Sequence, residues 1–422
     1  MNESKRNKIK ESLRKTRIKR QSQRCKVFEL KIDQSSLNKQ QEEQLKMWFV
    51  EAKWLYNYIL AQDNISDVNY KIKNILVKYK DKFIEKELKY LPSKCKQDLI
   101  KLVYQNIKSL SVLKRNGHKI GKLKFKREYN SIELSQYGNT HKIINKNKIK
   151  IFNIKKPLKV HGLEQIKDNY DLANAKLVKK ASGYYIKLTC FEFVTFEKLN
   201  SCCNKQDLGL DFGIKNNVTT SEGEIFNCFI EESEHLKRLQ RKLAKSKKNS
   251  NNRYKLRIKI QKEYEKITNK KNDAANKLVN YLLTNHLRVF MQDENLRGWH
   301  KGLFGKQVQH SYLGKIKSKL KSSNNVYIVD KWFPTTKMCY KCGVINENLT
   351  LKDRIFKCDV CNFEEDRDIK AAKTILLVGK NNQSYIPMEH RDFKPVEKLT
   401  SADDTLSIKN KSASMKQEDS IL

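Results

Sequence analysis

The sequence predicts a multidomain protein that joins an α+β region to an α/β region. In roughly the first 195 residues, segments that alternate apolar and polar side chains are separated by helical segments. From about residue 205 to residue 378, short strands alternate with helices, which is typical of an α/β core. Gly (14) and Pro (5) are scarce among the 422 residues, so a turn-rich all-β fold is disfavoured.

The chain carries a net charge of +41, from 88 Lys and Arg against 47 Asp and Glu. A compact protein with this charge repels itself unless a polyanion neutralises it. Nucleic acid is the first candidate, because Lys and Arg that contact phosphates release counterions, and an acidic membrane surface is the second. No run of 18 apolar residues is present, so we expect no membrane-spanning helix.

The cellular compartment is indicated by the N-terminus and the cysteines. Met1–Lys26 is basic and contains no apolar segment of the kind that signal peptides have. Ten cysteines without such a signal indicate a reducing compartment, so we expect a cytoplasmic protein. We expect inert thiols at the six positions outside the cysteine module described below, which are Cys25, Cys95, Cys190, Cys202, Cys203 and Cys228.

The N-terminal half begins with the basic arm and a strand at Cys25–Asp33. A helix starts at about Lys39, and its aromatic stripe at three- and four-residue steps indicates core packing rather than base stacking. Helical signals continue to about Leu113, and the pattern is β-like over Ile120–Phe193.

The C-terminal half follows a linker predicted at Phe196–Gln206. Strands are expected from Leu208 to Ile230, and a strand at Leu287–Asp293. Between them lies the basic segment Lys237–Lys271, in which a long amphipathic helix is expected after a loop near Asn249–Asn252. A helix at Gln307–Leu320, a strand at Val326–Val329 and a helix at Ile369–Leu377 come next. The predicted regions are a basic arm (1–26), a β-domain with helical insert (27–195), an α/β domain (205–378) containing a cysteine module (333–366), and a disordered tail (379–422).

The basic helix is the clearest phosphate-binding candidate. Lys237–Lys271 contains fifteen Lys and Arg against Glu263 and Glu265. This net charge of +13 exceeds what a solvated helix face requires, so we expect the helix to face phosphates. The residues expected to bind nucleic acid are Lys237, Arg238, Arg241, Lys242, Lys245, Lys247, Lys248 and Arg253.

Two Cys-x-x-Cys pairs predict a zinc site. Cys339 and Cys342 are followed, fifteen residues later, by Cys358 and Cys361. Four thiolates complete a tetrahedral shell and leave no open position, which indicates a structural rather than a catalytic metal. The alternative is two reduced cysteine pairs without metal.

Three acids are candidates for a catalytic metal site. Asp211 lies in an apolar strand, where a carboxylate is costly without a partner or metal, while Glu294 follows a strand and Asp368 begins the last helix. Carboxylates from strand ends can hold two Mg²⁺ for phosphodiester hydrolysis. Each acid also has an ordinary interpretation: a turn residue, a surface acid and a helix N-cap, respectively.

Four segments in this order resemble the TnpB/OrfB family of transposon-encoded RNA-guided DNA endonucleases, which is related to miniature type V CRISPR effectors. The segments are Leu208–Ile214, Asp293–Leu296, Thr335–Gly343 and Asp366–Ala372. Two further segments, Leu37–Leu60 and Gly121–Lys126, resemble its N-terminal helix and its Pro-Arg-Phe-Lys stretch, with Leu123 in place of Pro.

The resemblance implies a fold, an activity and a site. The fold would be a wedge β-barrel with a helical recognition insert, followed by a RuvC (RNase H-like) domain interrupted by a zinc ribbon. The activity would be RNA-guided, Mg²⁺-dependent DNA cleavage in a prokaryotic cell, with guide RNA and target DNA as partners. Asp211, Glu294 and Asp368 would be the RuvC acids, and the four cysteines would hold structural zinc.

The chain departs from the family pattern at two positions. Lys370 stands where Asn is usual beside the third acid. In the middle motif, alignment on Glu-Asn-Leu makes Glu294 the acid, whereas alignment on the downstream Gly298 places the neutral Gln292 there. Strand alternation puts both side chains on one face, and we favour Glu294 because the local identity follows a predicted strand.

Two other functions explain part of the sequence. A nuclease-inactive, RNA-guided DNA-binding repressor would need the guide and the basic surfaces but no metal-binding acids. A zinc-ribbon nucleic-acid binder without catalysis would account for the charge but would leave the three acids without a role.

Overall fold

The computed structural model describes residues 3–62, 64, 68–79, 82–193, 206–350 and 353–381. The predicted linker (except Gln206), Cys202, Cys203 and the tail beyond residue 381 lie outside these residues. The chain divides into two compact units, each interrupted in sequence. The first unit consists of Met1–Gln206, Cys228–Leu287 and Leu296–Ser323, and the second of Asp207–Asn227, Arg288–Asn295 and Asn324–Leu422.

The first unit contains a nearly closed, barrel-like antiparallel sheet and several helices. Its described strands are β1 (Gln23–Ile32), β2 (Asn74–Tyr79), β3 (Lys82–Glu87), β4 (Ser131–Leu134), β5 (His141–Asn145), β6 (Lys148–Ile151), β7 (Leu158–His161), β8 (Asp171–Lys180) and β9 (Gly183–Phe193). Its described α-helices are α1 (Glu3–Gln21), α2 (Lys39–Leu60), α3 (Ser93–Arg115), α4 (Glu234–Lys245), α5 (Asn251–Asn285), α6 (Leu296–Lys301), α7 (Gly305–His310) and α8 (Leu313–Lys321).

The seven-stranded sheet has the order β4-β8-β9-β1-β7-β6-β5. Side chains along its strands alternate between the two faces of the sheet, and one face is buried. In β9, for example, every second side chain from Tyr184 to Cys190 is buried. Helix α2 begins as predicted, because Asn38 and Gln41 form a reciprocal capping box. The aromatic stripe of α2 is core: Trp48, Phe49 and Tyr56 are all buried.

Two helix predictions in this unit were wrong in detail. Instead of continuing the helical pattern, Asn74–Tyr79 and Lys82–Glu87 pair as the antiparallel strands β2 and β3, with Val77 opposite Ile84. The helix predicted at Gln307–Leu320 is broken into α7 and α8, because Ser311 adopts an extended conformation and pairs with Phe229. The basic segment forms the helices α4 and α5 with a break close to the predicted loop, and Ser250 caps the second helix.

The second unit is built on a five-stranded mixed sheet of order β12-β11-β10-β13-β14. Strands β10, β13 and β14 are parallel, β11 pairs antiparallel with β10, and β12 pairs antiparallel with β11. The described elements are β10 (Leu208–Phe212), β11 (Val218–Thr220), β12 (Ile225–Phe226), β13 (Val289–Gln292), β14 (Val326–Val329), the small hairpin β15 (Ile355–Lys357) and β16 (Glu364–Asp366), and helix α9 (Arg367–Lys380).

Helix α9 packs closely on the centre of this sheet. At Gly209 in β10, a Cβ atom would lie 2.0 Å from the Ala372 carbonyl oxygen. At Gly379 a Cβ atom would lie 2.2 Å from the ring of Phe290 in β13. The absence of side chains at these two positions therefore lets the helix reach the strands.

Among the described residues, no helix has both the length and the apolarity that crossing a membrane requires.

We expect Gly209→Ala to destabilise the protein by about 1–3 kcal/mol, because the added methyl group must push α9 away from β10. Gly121→Ala is the matched control, since nothing lies within 4 Å of its Cβ position. Urea unfolding measures both variants. Equal free energies of unfolding for Gly209→Ala and Gly121→Ala would contradict the close packing of α9 on β10.

Candidate functional site

The first two candidate acids lie at one edge of the five-stranded sheet. Asp211 is the fourth residue of the five-residue strand β10, and Glu294 comes two residues after β13 ends. Because β10 and β13 are parallel neighbours, their carboxyl ends meet at the same edge. Asp368 lies in the first turn of α9, the helix that packs on these strands.

The electrostatics of Asp211 show that the three acids influence one another. Burial, then the negative charges of Asp368 and Glu294, raise the pKa of Asp211 to about 7. Arg367 and Lys370 act in the opposite direction. The edge of the sheet therefore concentrates negative charge that the surrounding cations balance only partly.

The ordinary interpretation of Asp368 as an N-cap is wrong. Asp366 caps α9, since its Oδ1 accepts from the backbone N–H of Asp368 at 2.9 Å and of Ile369 at 3.1 Å. The Asp368 carboxylate instead accepts a 2.9 Å hydrogen bond from Asn216 Nδ2. Arg367 and Arg354 guanidinium nitrogens lie 3.5 and 3.8 Å from its oxygens.

The sequence pattern did not indicate Asn216, Arg354 or Arg367 as partners of Asp368. The only available signal for Asn216 was its position in the turn between β10 and β11. Arg354 and Asp368 come together because β15 and β16 pair, which residue spacing does not reveal.

Gln292 and Glu294 have different environments. Gln292 is 4% exposed, and its Nε2 donates to the carbonyl oxygens of Asp330 (2.7 Å) and Phe333 (2.9 Å). Its Oε1 accepts from the Thr335 hydroxyl at 2.9 Å. Glu294 lies beyond the strand, where its backbone N–H bonds to the Gln292 carbonyl, so the strand alternation we extended to residue 294 ends at Gln292.

Lys370 is fully buried, and its ammonium group is held by backbone carbonyls. It donates to the carbonyl oxygens of Thr335 (3.1 Å), Met338 (3.0 Å) and Thr336. It also lies over the Phe356 ring, 4.0 Å from the centroid, and burial lowers its pKa to about 8. An Asn could not reach this segment, so Lys370 supplies contacts of its own.

The four module cysteines form a compact cluster that fits zinc. Their sulfur atoms all lie within 4.8 Å of one another. The Cys339–Cys361 pair is 3.7 Å apart and the Cys342–Cys358 pair 3.4 Å, near the ~3.8 Å edge of a tetrahedron with Zn–S bonds of about 2.3 Å.

The acids are less tightly grouped than the cysteines. Within the described ranges, the cysteine cluster is the only set of three or more His, Cys, Asp or Glu side chains whose ligand atoms all approach within 4.8 Å. Asp211, Glu294 and Asp368 therefore share one sheet edge without forming so compact a cluster.

The predicted nucleic-acid-binding side chains all belong to the first unit. Arg253 is engaged internally, because its NH1 donates to the Leu243 and Ser246 carbonyls at the end of α4. Lys237 pairs with Glu234 on the same helix. The exposed members of the set are Arg238, Arg241, Lys242, Lys245, Lys247 and Lys248.

Two family models match the chain. Residues 195–298, which include Asp211 and Glu294, match the OrfB_IS605 model, described as "Probable transposase". Residues 312–375, which include the four cysteines and Asp368, match the "Cas12f1-like, TNB domain" model. The chain is therefore similar to the OrfB family over the segment that carries Asp211 and Glu294. The resemblance seen in the sequence motifs is confirmed.

Two curated relatives carry provisional names as RNA-guided DNA endonucleases. The Streptomyces pristinaespiralis protein is 29% identical over 209 residues, which cover 47% of this chain and 51% of that protein. InsQ of Escherichia coli K12 is 27% identical over 199 residues, covering 41% and 48%, respectively. The chain thus spans about half the length of the curated relatives it matches.

Among solved structures, a cryo-EM structure of CasPhi-2 (Cas12j) bound to crRNA aligns with a TM-score of 0.33 and 12% identity. The alignment covers 55% of this chain and 61% of that one. This similarity is too low to support an argument about the fold.

We expect the protein without a metal ion at the three acids to lose stability as pH rises from about 4 to about 7. The pKa of Asp211 is about 7 in the native state and about 3.9 in an unfolded chain. Between these values the native state binds more protons, so the free energy of unfolding falls with rising pH. Asp211→Asn should remove this fall, whereas Asp293→Asn should keep it. Thermal unfolding measured as a function of pH tests this prediction. The same pH dependence in the wild type, Asp211→Asn and Asp293→Asn would contradict it.

We expect the purified protein to contain about one zinc per chain, and Cys358→Ser to lose the metal and unfold at a lower temperature. The reason is that metal binding contributes directly to folding of a four-thiolate module. Elemental analysis and thermal unfolding measure these outcomes. Cys25→Ser, at an exposed cysteine outside the cluster, should change neither, and a zinc-free wild-type protein would refute the site.

Proposed function

We propose that the protein is an RNA-guided DNA endonuclease. Its catalytic site, formed by Asp211, Glu294 and Asp368, would hydrolyse DNA phosphodiester bonds. The observation that carries the proposal is the convergence of these acids at one sheet edge, where Asp368 and Glu294 help raise the pKa of Asp211 to about 7. Acids that repel one another in this way are the expected ligands of a divalent cation.

The residues present fit Mg²⁺. Carboxylate oxygens are the donors that this hard cation prefers, and a bound cation would relieve the repulsion that keeps Asp211 partly protonated near neutral pH. When bound, Mg²⁺ activates water for attack on the phosphodiester and stabilises the leaving oxygen.

The chain itself orients the acids. Asn216 and the guanidinium groups of Arg367 and Arg354 surround Asp368 and limit the directions in which its carboxylate can point. Gln292 uses its amide group inside the protein, which supports Glu294 as the middle acid.

The remaining parts of the chain take supporting roles in this proposal. The second unit would be the RuvC-like domain with its zinc ribbon, and the barrel-like sheet with its helices would be the wedge and recognition region. The exposed Lys and Arg side chains of α4 and the following loop would hold the guide RNA or target DNA backbone. Base pairing with the guide would supply sequence specificity, as in other guided effectors.

A guided DNA-binding protein that does not cut is the second candidate. The observation that favours it is the looser grouping of the three acids compared with the cysteines. If the carboxylates do not hold a metal, the same basic surfaces would still occupy DNA and block transcription.

We expect the protein, purified with its bound RNA, to cut a plasmid that carries the matching target when Mg²⁺ is present. Asp211→Ala, Glu294→Gln and Asp368→Asn should each slow cleavage about 100-fold or more, because each removes a metal ligand worth several kcal/mol in the transition state. Gel analysis of plasmid nicking and linearisation measures the rates.

Matched controls separate a catalytic loss from general damage. Asp293→Asn changes the acid next to Glu294, and Asp366→Asn keeps a residue that caps helices well, so both should cut at close to wild-type rates. Cleavage that survives Glu294→Gln would reject that assignment. Guided binding without any cutting by the wild-type protein would select the second candidate.

A further inference from the structure

An exposed tryptophan lies at the same sheet edge as the acids. Trp332 is 81% exposed, although large aromatic side chains are usually at least partly covered. It follows β14, whose carboxyl end lies beside that of its parallel neighbour β13. Trp332 and Glu294 are thus both carried by segments that leave the carboxyl ends of adjacent strands.

The loop that carries Trp332 is held by hydrogen bonds on both sides of the tryptophan. The Trp332 backbone N–H donates to Asp330 Oδ1 at 2.8 Å, and the Phe333 N–H donates to the Asp330 carbonyl at 3.2 Å. Gln292 fixes the loop on both sides of the tryptophan, through the carbonyls of Asp330 and Phe333. Phe333 is buried with Phe290 and Val329 in the core. The exposed indole is therefore presented by an ordered loop.

The ammonium group of Lys331 lies next to the Trp332 ring. Lys331 Nζ lies over the indole, 4.6 Å from the ring centroid. An aromatic face beside an ammonium group matches one nucleotide, because the base stacks on the ring while the phosphate meets the cation. Stacking of this kind accepts any base, which suits a protein whose sequence specificity would come from a guide.

We propose that Trp332 and Lys331 form a nucleotide-binding platform for an unpaired nucleotide of the DNA strand that is cut. This inference rests on the proposed function, since the acids at the same edge define which strand passes here. An unpaired strand is the fitting occupant, because the faces of bases within a duplex are covered by their neighbours.

Intrinsic tryptophan fluorescence tests the platform without cleavage. The full-length protein is titrated with a thymidylate oligonucleotide about eight nucleotides long, in buffer without added divalent cation. Wild-type fluorescence should be quenched as a base stacks on Trp332. The quenching should disappear in Trp332→Phe, which keeps an aromatic ring, and persist in Trp54→Phe, a matched control in α2 of the other unit.

The affinity for the oligonucleotide provides the second measurement. Trp332→Ala should bind it about 5- to 100-fold more weakly, the range expected for the loss of one stacked base, and Trp332→Phe should bind nearly as well as wild type. Both Trp332 variants should unfold at the wild-type temperature, because the Trp332 indole is exposed. Quenching that survives Trp332→Phe, or unchanged affinity in Trp332→Ala, would overturn the proposal.

The two proposals fail in distinguishable ways. If the wild-type protein shows Trp332-dependent quenching but never cuts a guided target, the platform stands as a single-strand binding site and the nuclease assignment fails. If guided cleavage occurs while the quenching does not depend on Trp332, the nuclease assignment stands and the platform is rejected.

Discussion

The second unit depends on the burial of one cation. An ammonium group removed from water costs several kcal/mol unless hydrogen bonds replace its hydration. Lys370 satisfies this requirement with the carbonyls of Thr335, Thr336 and Met338, which fixes the segment directly before Cys339. The position of the cysteine module is therefore tied to the helix turn that carries Asp368.

Gln292 also forms hydrogen bonds to the segment before Cys339. Its amide group joins the end of β13 to the loop that begins at Asp330, so the strand before Glu294 and the segment before Cys339 share one hydrogen-bonded network. Such buried polar networks specify a single arrangement when every member is satisfied. Here the network holds the acid edge, the Trp332 loop and the cysteine module in register.

The sequence was most informative where a local pattern has one physical solution. The apolar stripe through Trp48 placed the start of α2 near Lys39 and correctly indicated core packing. The Cys-x-x-Cys spacing correctly predicted a compact cluster of four cysteine sulfur atoms. The β2–β3 hairpin and the break at Ser311 were missed because they depend on pairing between strands that local periodicity does not encode.

By itself, the sequence determined the high positive charge, the two cysteine pairs, the family motifs and the three candidate acids. Only the tertiary structure decided what the two ambiguous residues do. Lys370 and Gln292 look like departures from a catalytic pattern, yet both are buried donors to the same segment. The reason is that these hydrogen-bond partners are 32 to 43 residues apart and meet only when the strands and the helix pack together, which residue spacing does not reveal.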